Sequence, residues 1–149
     1  MKVDVVRDIL EANDQVAAEL NTDFSARGIL ALNLMSSPGS GKTTLLERTL
    51  TDLRDEFSMA VIEGDCQTEN DARRVAATGA RAVQINTNDD CHLDSDMVRD
   101  ACQKLGLEGT DILVVENVGN LVCPAEFSVG EDYKVTILSV TEGDDKPEK

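Results

Sequence analysis

Tryptophan is absent from this chain of 149 residues, and aromatic residues make up only 3% of it. A core must therefore be assembled from Val, Leu, Ile, Ala and Met. The 41% hydrophobic content supplies these, and such a core suits a parallel sheet covered by helices. Basic residues are scarce as well: 14 against 29 acidic ones leave a net charge of −15, so the general surface repels nucleic acid phosphates and anionic lipid. The acidic excess spreads from Asp4 to Glu148 without a long single-sign block. No apolar run approaches the roughly 18 residues needed to span a bilayer, and Asp4, Arg7 and Asp8 stand where a signal peptide would be apolar. The expected location is cytoplasmic, with neither nucleic acid nor membrane as partner. Internal repeats and low-complexity tracts are absent too, and the length is that of one domain, enough to bury about two-thirds of the unfolded surface.

The hydrophobic pattern predicts alternating elements. Apolar residues at helical spacing predict a helix over residues 3–20, with further helices over 42–55, 69–78 and 93–105. Apolar runs predict strands over 29–35, 59–63, 82–85, 112–116 and 134–140, and the signals over 117–131 are mixed. Strands alternating with helices imply an α/β fold, a mainly parallel sheet with helices on both faces.

Between the first strand and its helix lies Ser36-Ser37-Pro38-Gly39-Ser40-Gly41-Lys42-Thr43-Thr44. Strand, glycine-rich turn and helix in this order make a phosphate-binding loop. Backbone N–H groups and the helix N-terminus surround a phosphate, Lys42 reaches the outer phosphates from the surface of the loop, and the Thr43 hydroxyl holds Mg²⁺. The candidate nucleotide-binding residues are Pro38, Gly39, Ser40, Gly41, Lys42, Thr43 and Thr44. Ser36 stands where the general pattern has glycine, so it must adopt whatever conformation the turn requires.

Ligands of open parallel sheets sit at the carboxyl ends of strands. Asp65 follows the second strand and Glu116 ends the fourth predicted helix–strand unit, so both carboxylates are candidates for the Mg²⁺ site beside Thr43 and, with Lys42, for the catalytic set. Gly119 is placed to approach a γ-phosphate.

Four cysteines, Cys66, Cys91, Cys102 and Cys123, in a cytosolic chain read as free or metal-bound thiols rather than disulfides. Cys91 adjoins the only histidine, His92, at an expected helix start where the dipole would favour thiolate. Together with Cys123 they form a candidate Ni²⁺ or Zn²⁺ site that is one ligand short, to be completed by water or a second subunit. Cys102 falls in a core register, and Cys66 takes neither role from its neighbours.

These segments, with Glu63-Gly64-Asp65, Thr68-Glu69-Asn70-Asp71-Ala72-Arg73, Gln84-Ile85-Asn86-Thr87, Cys91-His92-Leu93-Asp94, the run Glu116-Asn117-Val118-Gly119-Asn120-Leu121-Val122-Cys123-Pro124-Ala125 and Ser139-Val140-Thr141-Glu142-Gly143-Asp144-Asp145-Lys146-Pro147, resemble the hydrogenase nickel-incorporation GTPases, the HypB family, over nearly the whole chain. The related urease accessory GTPases carry a Cys-Pro-His motif instead. The resemblance implies one P-loop GTPase domain over residues 1–149, incomplete at its C-terminal end, with residues 1–22 carrying its N-terminal helix. It implies GTP and GDP with Mg²⁺, slow hydrolysis, a nucleotide-dependent homodimer, and nickel delivery to the [NiFe]-hydrogenase large subunit alongside other hydrogenase maturation factors. It further implies Ni²⁺ or Zn²⁺ on Cys91, His92 and Cys123 at the dimer interface. Two family features are missing from the sequence: an N-terminal cysteine or histidine-rich nickel motif, and the guanine-reading Asn-Lys-x-Asp. The alternative implied by the latter is a metal-binding interaction module with little turnover. A small-molecule kinase is disfavoured because no acceptor lid or extra arginine cluster is evident.

Overall fold

The computed structural model of the chain describes residues 5–64 and 69–142. Helix α1 (Val5–Ala26) leads into β1 (Leu30–Ser36), then α2 (Lys42–Leu53), β2 (Met59–Glu63), α3 (Glu69–Ala77), β3 (Arg81–Gln84), α4 (Ser95–Leu105) and β4 (Ile112–Glu116). A single-turn helix α5 (Cys123–Glu126), strand β5 (Tyr133–Ile137) and a 3₁₀ turn (Val140–Glu142) follow. The strands form one sheet in the order β3-β2-β4-β1-β5, and every pairing among them is parallel.

Side-chain alternation along the strands divides the core. Ala31, Ala60, Ile62, Leu113 and Val115 face α1 and α4, where Leu20, Phe24, Val98, Ala101 and Cys102 pack on them. Leu34, Val61 and Val114 face the other way, onto Leu46 and Leu50 of α2 and Val75 of α3. The expected parallel sheet with helices on both faces is thus the observed one. Among the described residues no helix is long and apolar enough to cross a membrane.

Three boundaries differ from the sequence pattern for identifiable reasons. Helix α1 runs on to Ala26, because Phe24 continues the apolar stripe of Ala17 and Leu20 and is itself only 1% exposed. Helix α4 starts at Ser95 rather than Leu93: Asp94, in an extended conformation, caps it by accepting a 2.8 Å hydrogen bond from the Met97 N–H. Strand β5 stops at Ile137 because β1, its one partner among the described residues, ends at Ser36, the residue opposite Ile137. Beyond β5 the sheet has no further strand among the described residues, and Tyr133, Val135 and Leu138 stand exposed along this edge.

At the end of β2, Gly64 approaches the core closely. A Cβ there would lie 2.5 Å from Leu93 Cδ1 and 2.7 Å from its Cγ, and Leu93 is fully buried. We expect Gly64→Ala to destabilise the chain by about 1–3 kcal/mol, since overpacking displaces a side chain that has nowhere to go. Urea denaturation checks this, and an unchanged midpoint would contradict it.

Candidate functional site

The loop after β1 closes with Gly39 at φ 74° and Gly41 at φ 97°, left-handed values that only glycine adopts without strain. Gly41 is also the residue immediately before α2, so its freedom sets the angle at which the helix N-terminus faces the cleft. Ser36 needs no such freedom. It is the last residue of β1, fully buried, and its hydroxyl donates to the Ser37 carbonyl at 2.9 Å while accepting from Lys42 Nζ at 3.0 Å. Lys42 is accordingly not the surface side chain expected. It is 5% exposed, and its ammonium donates to the Ser36 hydroxyl.

Strand order places the carboxylate. Parallel pairing of β1 with β4 sets Leu34 opposite Glu116, and the pairing of β2 with β4 sets Glu63 opposite Glu116. Both glutamates point toward the α2 side of the sheet, and both are buried. Glu116 Oε1 accepts a 2.8 Å hydrogen bond from Thr43 Oγ1, whereas its Oε2 is buried without a hydrogen-bond partner. A buried carboxylate oxygen left in this state is costly, and a hydroxyl plus a carboxylate is the hard oxygen set that Mg²⁺ takes. The donor set therefore fits this cation. Asp65, the other expected carboxylate, lies outside the described residues.

Over the loop opens a cavity of about 500 Å³, lined on one side by Pro38, Gly39, Gly41, Lys42, Thr43 and Thr44 and on the other by Val118 and Gly119. Gly119 meets the loop directly: a Cβ there would stand 3.1 Å from Pro38 Cγ and 3.2 Å from Pro38 Cα. Ser40, also expected in the loop, turns its hydroxyl back to the Ser37 carbonyl at 2.7 Å. Arg74 lines the same cavity and went unrecognised in the sequence. Its guanidinium spans Glu47, at 2.5 and 3.0 Å, and Thr44 Oγ1, at 3.2 Å. Glu63 was likewise visible only as part of a motif. A second cleft of about 570 Å³ lies near Arg54, Ser58 and Arg81, at the amino ends of β2 and β3, far from these groups.

The ligand atoms of Cys91, His92 and Cys123 lie within 4.8 Å of one another. Cys91 Sγ is 3.6 Å from His92 Nδ1, and the His92 ring stacks on Phe127 with centroids 3.8 Å apart and planes at 20°. The expected cluster is thus assembled, but not as expected. Cys91 and His92 belong to the loop before the α4 cap rather than to a helix N-terminus, so no dipole favours the thiolate. Instead the Cys91 thiol is pushed up from its ordinary range, first by its hydrogen bond to Cys123 and then by burial. Cys123 opens α5, with Pro124 at the first turn.

Residues 30–149 match the protein-family model described as the CobW/HypB/UreG nucleotide-binding domain. The chain is 58% identical over 147 residues to the hydrogenase maturation factor HypB of Rhizobium leguminosarum bv. viciae, covering 99% of this chain and 49% of that protein. The crystal structure of HypB from Archaeoglobus fulgidus is similar with a TM-score of 0.85 and 39% identity, over 93% of this chain and 67% of that one. HypB from Helicobacter pylori, solved in complex with nickel, gives a TM-score of 0.82 at 47% identity, over 91% and 64% of the two chains. This chain spans about half the length of curated relatives such as those of R. leguminosarum and Escherichia coli.

The thiols of Cys91, Cys102 and Cys123 occupy environments different enough to be told apart chemically. Burial in the core pushes Cys102 up to about 12 from 9.0. Because the fold favours its neutral form, that contribution to stability is intact below pH 9.0 and is lost as the pH rises toward 12. At pH 8, iodoacetamide is expected to modify Cys91 and Cys123 while Cys102 stays protected, and added Ni²⁺ or Zn²⁺ should slow only the first two. Mass mapping of the alkylated peptides reads this out; metal protection spread evenly over all three, or none, would contradict it.

Proposed function

The chain belongs to the CobW/HypB/UreG nucleotide-binding domain family, and on that premise we propose that it is a cytoplasmic, slow GTPase that handles nickel during [NiFe]-hydrogenase maturation. The observation that carries the reading is the continuity of the two sites. Glu116 at the Thr43 hydroxyl, Gly119 against Pro38 and Cys123 in the thiol–imidazole cluster follow one another along a single connection.

In this reading the loop N–H groups and the positive end of α2 hold the β-phosphate, and Lys42 exchanges Ser36 for the β- and γ-phosphate oxygens. Thr43 and Glu116 are the residues that would hold Mg²⁺, with Asp65 as a further carboxylate for the ion or the attacking water. When bound, Mg²⁺ neutralises charge on the transferring phosphate. Gly119, lacking a side chain where one would strike Pro38, lets its backbone N–H approach the γ-phosphate, so loss of that phosphate releases the segment leading to Cys123. Nickel is the cargo, with Zn²⁺ the other ion that suits two thiols and an imidazole. The three ligands leave a position that water or a second copy fills, which supports a nucleotide-dependent homodimer. Hydrogenase maturation factors and the hydrogenase large subunit are the protein partners this role requires.

Lys42→Ala is expected to abolish binding of a fluorescent GTP analogue while circular dichroism stays unchanged. Although the lysine is buried, Ser36 keeps its bond to the Ser37 carbonyl when Lys42 is removed, so no orphaned hydroxyl results. Unchanged affinity in the folded variant would defeat the loop assignment.

A second expectation concerns assembly. Ni²⁺ or Zn²⁺ should promote dimerisation in the presence of a non-hydrolysable GTP analogue, and by linkage the dimer should bind metal more tightly. Cys91→Ala, His92→Ala and Cys123→Ala should each remove the effect and leave nucleotide binding intact. Sedimentation with metal titration tests this, and association that ignores both metal and the three substitutions would overturn it. Phosphate release measured alongside separates the GTPase from a metal-binding module without turnover.

A further inference from the structure

Glu116 and Asn117 are consecutive at the end of β4, and the pleat turns them to opposite faces of the sheet. Glu116 reaches the Thr43 hydroxyl on the α2 side. Asn117, with no exposed surface, points to the α1 and α4 side, where its carboxamide donates through Nδ2 to Asn33 Oδ1 at 3.0 Å. Its single oxygen accepts two backbone hydrogen bonds: from the Leu93 N–H at 3.1 Å and from the Val118 N–H at 2.9 Å.

The positions of those two donors matter. Leu93 directly follows His92, and Val118 directly precedes Gly119, so one oxygen grips the backbone beside a metal ligand and the backbone beside the glycine that packs on the phosphate loop. The bond to Asn33 fixes which way the carboxamide faces, because both N–H groups need an acceptor and only the oxygen can supply one. Asn33 in turn donates to Glu131 Oε1 at 3.2 Å, and Glu131 Oε2 accepts from the Val129 N–H at 2.7 Å. Val129 lies two residues beyond Phe127, the ring stacked on His92. The Cys91–His92 loop and the Gly119 segment therefore share one buried carboxamide.

We propose that Asn117 is the positioning residue through which nucleotide state sets the geometry of the Cys91, His92 and Cys123 cluster. This rests on the two-site reading above. A shift of Val118 on nucleotide binding changes its hold on the carboxamide oxygen, and Leu93 shares that oxygen. The displacement passes to His92 through this one side chain. Such coupling is reciprocal, so metal must change nucleotide affinity by the same factor, and it is established by coupling energies rather than by proximity.

The test measures Ni²⁺ affinity of the full 149-residue chain, with and without Mg²⁺ and a non-hydrolysable GTP analogue. In the parent chain the two affinities should differ by about fivefold or more. In Asn117→Ala the ratio should fall to about one while each ligand still binds. Leu113→Ala serves as the control for general loosening: Leu113 is fully buried on the same face of β4, four residues before Asn117, so its ratio should match the parent. Should Asn117→Ala fail to fold, amide hydrogen exchange on the parent decides: the Leu93 and Val118 N–H groups should change protection together when the analogue binds. An undiminished ratio in folded Asn117→Ala, or a Val118 response with Leu93 unmoved, would overturn the role of Asn117 alone. Absence of nucleotide or Ni²⁺ binding in the parent would overturn the two-site reading, and this inference with it.

Discussion

A glutamate carboxylate with no exposed surface, fixed at the carboxyl end of a central strand, is the constraint on which the rest of this structure turns. Withdrawing such a group from water costs several kcal/mol unless charge or hydrogen bonds compensate, and Glu116 has one hydrogen bond for two oxygens. Its neighbour across the sheet, Glu63, is a second buried carboxylate, and the lysine of the glycine-rich loop is buried on the same side. An apolar end to β4 would make a better core. The arrangement is intelligible as a site that holds its oxygens in readiness for a cation and for the phosphates that accompany one, the electrostatic preorganisation that phosphoryl transfer depends on.

From that fixed point the chain makes a single short excursion to the other chemistry. The segment after Glu116 presses Gly119 on Pro38, then turns into the one-turn helix that begins with Cys123. Cys91 and His92 arrive from the loop after β3 and are tied down on their carboxyl side by Leu93 in the core and by the Asp94 cap. Neither half of the cluster sits in the middle of a regular element, so small loop movements change the spacing of its three side chains without unfolding the sheet. The net charge of −15 attracts cations to the surface generally.

Much of this was legible in the order of residues, and the parts that were not share a cause. Apolar periodicity gave the strands and main helices because each faces a core on a fixed period, and glycines with Lys42 and Thr43 after a strand announced the phosphate loop. Sequence periodicity cannot show what a polar residue does inside a sheet. Asn33 interrupts an apolar strand and Asn117 follows one, and neither pattern shows the carboxamide bond that joins the two residues. The burial of Lys42 and the pairing of Glu63 with Glu116 depend on which strands become neighbours, information carried by topology. The early helix start at Leu93 failed because Leu93 is apolar for the core and not for a helix face, and Asp94 supplied the stronger cap signal. Ser36 looked like a departure from the loop pattern and proved to be a strand residue.

The most direct measurement on the central claim is the Mg²⁺ affinity of the nucleotide-bound chain, compared with that of Glu116→Gln. The substitution preserves shape and an acceptor for Thr43 but removes the charge. If Glu116 holds the cation that accompanies the nucleotide, Mg²⁺ affinity should drop by roughly 10- to 100-fold, with nucleotide still binding in the absence of Mg²⁺. An unchanged Mg²⁺ affinity in a folded Glu116→Gln chain would contradict the account.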